Sequence, residues 1–134
     1  MSSVSTVTTN NQKEGIMEER FGSTEINGVK IYNTTPHLIR VLDENGQVIL
    51  EIPKAPQPLR LPEIVDFCCK IGNIPLFRKF LSRLGLPPRV PNVYYVVALP
   101  IAQTIKRSDF IVPHDYVRDS EGNVIGCRAF AFID

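Results

Sequence analysis

No apolar run in this 134-residue chain approaches the roughly 18 residues that a membrane-spanning helix needs. The N-terminus also lacks the basic-then-apolar layout of a signal peptide. The expected setting is cytoplasmic, the host cytoplasm if the chain is viral, with no membrane among its partners. Cysteine is scarce. Its three copies, two of them adjacent at Cys68-Cys69, match neither an even-numbered secreted framework nor a C-x-x-C metal spacing, which points to a reducing interior. Histidine is scarcer still, with only His37 and His114, so a His-rich metal site would need carboxylates from distant segments. There is no phosphate-cradling glycine loop, no H-E-x-x-H, no nucleophile elbow and no cysteine-histidine cluster. No metal and no cofactor is therefore expected, and catalysis is left open.

An excess of one charge is missing as well. Fifteen Lys and Arg stand against 14 Asp and Glu, a net +1, so the total selects no partner. The distribution is less even: residues 54–90 hold seven basic and two acidic side chains, a local +5. Hydrophobic residues at 43% and charged residues at 22% are the composition of one globular domain. The stretch MSSVSTVTTNNQKEG is mostly Ser, Thr and Asn with little to bury, which predicts a disordered tail over residues 1–15.

Periodicity supplies the elements. Ile26, Val29 and Ile31 suggest a short strand led by Asn27-Gly28. Residues 38–52 alternate on either side of DENG, a hairpin with Asn-Gly in its turn. PKAPQPLRLP is a proline-fixed extended connector. Beyond it, LPEIVDFCCKIG and NIPLFRKFLSRLG carry first-turn prolines and closing glycines, which predicts two helices between residues 61 and 85. On the second, Leu76, Phe77, Phe80, Leu81 and Leu84 share a face, leaving Arg78, Lys79 and Arg83 opposite. VYYVVAL has the continuous apolar pattern of a central strand; IAQTIKR suggests a short helix, DFIVP a strand, and the last 19 residues a hairpin about DSEGN. The fold class expected is α+β, a mainly antiparallel sheet with a helical pair packed on it, in one domain over residues 16–134.

Three constellations could carry function. In NTTPH, the Thr34 and Thr35 hydroxyls and Pro36 shape a turn, and His37 is either a half-buried residue bonding a backbone carbonyl or a general base or phosphate donor facing a cleft. Around DFIVP, Arg107 and Arg118 can bind phosphate or carboxylate bidentately, with Asp109 and Asp119 beside them, or the same charges form a solvated rim. Lys70, Arg78, Lys79 and Arg83 make a basic helical face, either a solvent side or a surface for nucleic acid or an acidic protein, though no aromatic is interleaved for base stacking.

With NTTPH, YYVVALPIAQTIKRSDFIVP and VRDSEGNVIGCRAF in that order, the chain resembles a family of small uncharacterised proteins of tailed phages, prophages and prokaryotic genomes that open with an Asn-Leu-Thr-Pro-His motif. The resemblance spans residues 31–53 and 93–132 and implies no activity. Its recurrent polar positions fall on Thr35, His37, Arg107, Asp109, Arg118 and Asp119. Thr34 stands where leucine is usual, and the helical pair replaces an expected strand and loop. The expectation that follows is an accessory protein of viral or mobile-element type that binds a phosphate-bearing ligand, a nucleotide or nucleic acid. The alternatives are a hydrolase or nuclease, with or without metal, that uses His37 as base and Asp109 to orient it or a metal, and a module that meets a host or viral protein through the basic face.

Overall fold

The structure, a computed structural model, describes residues 17–134, so the tail expected at 1–15 lies outside the described residues. A helical turn at 17–20 leads into β1 (Gly22–Ile26), and Asn27-Gly28 reverses the chain into β2 (Val29–Asn33). Both turn residues hold positive φ, 51° and 79°, as a two-residue hairpin loop requires. Strand β1, GSTEI, escaped the sequence reading because its one large apolar residue is Ile26. β3 (Ile39–Leu42) and β4 (Val48–Ile52) form the hairpin expected about DENG, with the Asp43 carboxylate accepting from the Asn45 and Gln47 amides. After the proline connector and the segment 62–85 come β7 (Val93–Val96), helix α1 (Leu99–Thr104), β8 (Phe110–Arg118) and β9 (Val124–Phe132).

Seven strands make one sheet in the order β1-β2-β7-β8-β9-β3-β4. The pairs β2/β7, β7/β8 and β9/β3 are parallel and the rest antiparallel. One cluster joins Ile31 of β2, Val96 of β7, Ile111 of β8, Ile39 of β3 and Ile52 of β4. In a flat sheet β2 and β4 would lie about 24 Å apart at ~4.8 Å per strand. They meet because the sheet curls into a nearly closed barrel. The opposite face of the central strands carries Tyr32, Tyr95, Val97, Phe110 and Val112, covered by Ile101, Ala102 and Ile105 around α1, by Ala55 and Leu59 of the connector, and by Met17 and Phe21. In the middle of VYYVVAL, Tyr95 to Val97, both faces are lined, while Tyr94 and Leu99 are exposed. No helix among the described residues is long and apolar enough to cross a membrane.

The α+β expectation is overturned, since 49% of the structure is strand and 8% helix. The two helices expected between 61 and 85 are instead β5 (Glu63–Ile71) and β6 (Ile74–Leu81), an antiparallel hairpin separate from the barrel sheet. Gly72 and Asn73 form the turn, with Gly72 at φ 61° and Asn73 on the negative side, where a first-position glycine suits a tight hairpin loop. The β-branched and aromatic content of EIVDFCCKI and the Pro75 that sits harmlessly in a two-stranded ribbon fit strand better than helix. Gly72, expected to close a helix, turns a hairpin instead. Ser82 N donates to Pro62 O at 2.7 Å and closes the base of the hairpin, while Leu61 and Leu86 on either side pack against the core.

The curl brings β1 against the end of β4 so closely that a Cβ built on Gly22 would lie 1.8 Å from Pro53 O. Gly22→Ala should therefore cost about 2 kcal/mol or more in urea unfolding, as backbone must move to admit the methyl group. An unchanged midpoint would mean that this seam is open in solution.

Candidate functional site

NTTPH begins at the last residue of β2, and its first three side chains are buried: Asn33 at 0%, Thr34 at 1% and Thr35 at 9% exposure. The Asn33 amide nitrogen donates to His37 O at 2.6 Å and Pro53 O at 3.0 Å, with a longer approach to Ile52 O. Its oxygen accepts from Thr35 N at 2.9 Å and from the Thr35 hydroxyl at 2.7 Å. Thr34 donates both its backbone N–H and its hydroxyl to Val96 O, tying the turn to β7. The carbonyls of Thr34 and Thr35 then accept from Leu59 and Ala55, so the proline connector is held to the same turn. These polar groups are spent on one another. No buried side-chain nitrogen or oxygen among the described residues lacks a partner, and the knot has no donor left over for a ligand.

His37 enters this network only through its backbone, and its residue is exposed rather than half-buried. Leu38, next in the chain, borders a shallow hollow of about 150 Å³ with Arg40, Pro113, Tyr116 and Ile125, and none of the expected site residues lines it. Among the described residues no three His, Cys, Asp or Glu side chains gather as metal ligands would.

Arg107 and Asp109 do meet. Two N–H groups of Arg107 bond the two carboxylate oxygens at 2.9 and 2.6 Å, a third donates to Pro87 O, and the guanidinium lies 4.2 Å over the Phe110 ring. Both side chains are mostly buried, at 13% and 14% exposure, so the pair fixes the loop before β8 and leaves little of the guanidinium fork for a ligand. Beside it Tyr95 stacks on Tyr32 and meets Phe110 edge-on, and its hydroxyl donates to Pro88 O at 2.8 Å. Burial, with the Asp109 charge adding and the Arg107 charge opposing, pushes the Tyr95 hydroxyl up to about 12. Asp109 and Arg89 also border an open surface hollow of about 480 Å³.

Arg118 and Asp119 lie at the far end of β8, on the order of 25 Å along the strand from its start. There Arg118 donates to Gly122 O, and the Asp119 carboxylate accepts from Glu121 N and Asn123 N, closing the β8–β9 turn. Arg107 and Arg118 therefore do not converge. The basic residues of the expected helical face are also split, because strand alternation sends Arg78 and Lys79 to opposite sides of β6. Lys70 is in β5, Arg83 is exposed in the loop after β6, and Lys79 pairs with Glu63. Asn33 was missed by the sequence reading, although a buried Asn at a strand end followed by two threonines is an Asx-turn signal. The apolar hairpin was missed with it.

Asn33→Ala should cost about 3 kcal/mol, as it strands the buried Thr35 amide and hydroxyl and two part-buried carbonyls, while His37→Ala should stay within about 0.5 kcal/mol in the same urea series. Equal losses would contradict this division. Acid stability follows from two carboxylates. Hydrogen bonds from Asn123 and Glu121 amides hold Asp119 below the usual range; for Glu18, burial pulls upward but is outweighed by Lys30, Ser23 and Tyr32. A folded pKa below the unfolded one gives stability that is fully present above about pH 5 and lost as pH falls below about 4. In thermal melts from neutral to acid pH, Asp119→Asn should flatten that decline; an unchanged slope would remove Asp119 from the account. Comparison with protein-family models, with curated proteins and with solved structures found no match.

Proposed function

We propose that this chain is a binding module whose working surface is the β5–β6 hairpin, carried by the barrel as a projecting arm toward a protein partner. The carrying observation is the burial pattern: every residue from Glu63 to Phe80 within the two strands is exposed, among them Ile64, Val65, Phe67, Ile71, Ile74, Leu76, Phe77 and Phe80. Water-exposed apolar surface on both sides of one ribbon is costly, and a lone two-stranded hairpin is marginal in water. Contiguous patches of this kind mark interaction sites.

This reading keeps the interaction module anticipated from Lys70, Arg78, Lys79 and Arg83, now, Arg83 aside, on a strand ribbon with its charges on both faces. It is favoured over a phosphate-binding site because Arg107 is engaged by Asp109 and Pro87 O and lies at the other end of β8 from Arg118. It is favoured over a hydrolase because, among the described residues, the hydrogen bonds of His37 are made by its backbone.

Because Pro62 O and Ser82 N are bonded, residues 63–81 can be replaced by a short Gly-Ser turn without stretching the base. That variant should melt within a few degrees of the parent, since the strands form no ladder with the barrel. It should also lose most of the fluorescence of a bound apolar dye. A variant that fails to fold would make the hairpin part of the barrel's own stability and defeat the proposal.

A further inference from the structure

Resting on that reading of the arm, we infer that its partner is a second copy of this chain, packed hairpin face to hairpin face about a two-fold axis running along the arm. The inference comes from the residue rows on one face. Across the ribbon Ile64 opposes Phe80, Asp66 opposes Arg78, Cys69 opposes Leu76 and Ile71 opposes Ile74. The register shift between Phe67 and Cys69 absorbs one residue, so Cys69 and Ile71 share the face of Ile64 and Asp66, and Lys70 is turned to the other side with Pro75. The result is three apolar rows and one charged row between them.

That charged row restricts what can cover the face. The ion pair of the arm among the described residues is Glu63–Lys79, on the reverse side; Asp66 and Arg78 form none with each other, and the Arg78 guanidinium lies 4.5 Å from the centre of the Phe80 ring. A covering surface must place a base over Asp66 and an acid over Arg78 in the same row, or bury both charges without partners. Rotation by 180° about the arm's length lays β5 of one copy over β6 of the other, row on row. Asp66 then meets Arg78 of the other copy, twice, while Ile64 meets Phe80, Cys69 meets Leu76, and Ile71 meets Ile74. An axis across the strands would instead set Asp66 on Asp66 and Arg78 on Arg78. Stacked ribbons of this kind sit ~10 Å apart with their side chains interdigitated, the usual spacing of packed sheets. A net charge of +1 per chain leaves little repulsion between copies. A lipid surface fits less well, because it would take Asp66 out of water with no base opposite.

Sedimentation velocity of the full chain over the micromolar to hundred-micromolar range tests this. The parent should dimerise. Asp66→Arg puts two arginines in each facing row and Arg78→Asp puts two aspartates, so each variant alone should dimerise about a hundredfold more weakly. Mixed one to one, they restore both opposite-charge rows and should form the heterodimer at close to parental affinity; pairing within a single arm cannot produce that rescue. Circular dichroism of each variant confirms that the barrel is folded. A parent that stays monomeric throughout, or mutually unrescued variants of a dimeric parent, would overturn the inference. So would a monomeric parent that floats with anionic phospholipid vesicles through its arm, which would give the face to a membrane. In each case apolar-dye binding that still depends on the arm leaves the docking reading standing, and loss of folding on arm replacement removes both.

Discussion

Between the end of β2 and the residues that leave β4, a single buried side-chain amide spans the barrel's seam. Asn33 donates across it to Pro53 O and along the turn to His37 O, and accepts twice from Thr35. A curled sheet of this kind leaves backbone groups at its closing edge that water reaches only in part, and burial makes each unmet group costly. Asn has donors and an acceptor on one planar group, so it satisfies both kinds at once; Asp would lack the donors and Leu would lack everything but volume. Thr34 extends the knot to β7 through Val96 O, and the connector joins by its Ala55 and Leu59 amides. From this anchoring follow the tight approach at Gly22, the covering of Tyr32 and Tyr95 by Ala55 and Leu59, and the fixed position of the connector from which the arm departs.

The parts of the fold legible in the sequence were those whose pattern reports their own surroundings. DENG between two alternating runs marked its hairpin, and the unbroken apolar VYYVVAL marked a strand whose middle, Tyr95 to Val97, is buried on both faces. Residues 61–85 were misread for a definite reason. Phe77, Phe80, Leu81 and Leu84 recur at helical spacing, yet the segment is apolar on both sides of a strand as well, since Ile64 and Val65 or Leu76 and Phe77 are neighbours in the chain. A ribbon with two apolar faces has no period-two signature, so composition and the turn Gly-Asn were the only remaining signals. The polar positions carry a different kind of signal. Thr35, Arg107, Asp109, Arg118 and Asp119 stand out in the sequence as charged or hydroxyl-bearing, but each is consumed in a local turn or pair. Sequence marks a residue as polar and does not say whether its partner is the chain itself.

The molecule thus divides its polar and apolar resources against common usage. Buried Asn, Thr, Arg and Asp groups secure the barrel and its loops, and a substantial share of the large apolar side chains stands on the exposed arm. Leu61 and Leu86 hold the arm's base to the core while proline-rich segments on both sides restrict how it can swing. On the docking reading proposed above, an arm so placed presents a preset surface, which would lower the ordering cost of association.

The claim that the Asn33 knot closes the barrel is tested most directly by native-state hydrogen exchange, followed amide by amide. The Thr35, Ala55 and Leu59 amides, all bonded within the knot, should exchange with the same opening free energy as Tyr95 in the central strand and Val97 just past its end, because they open only when the barrel unfolds. Exchange of those three amides by a local opening, orders of magnitude faster than the central strand, would show that the barrel stands without the knot and would contradict the account.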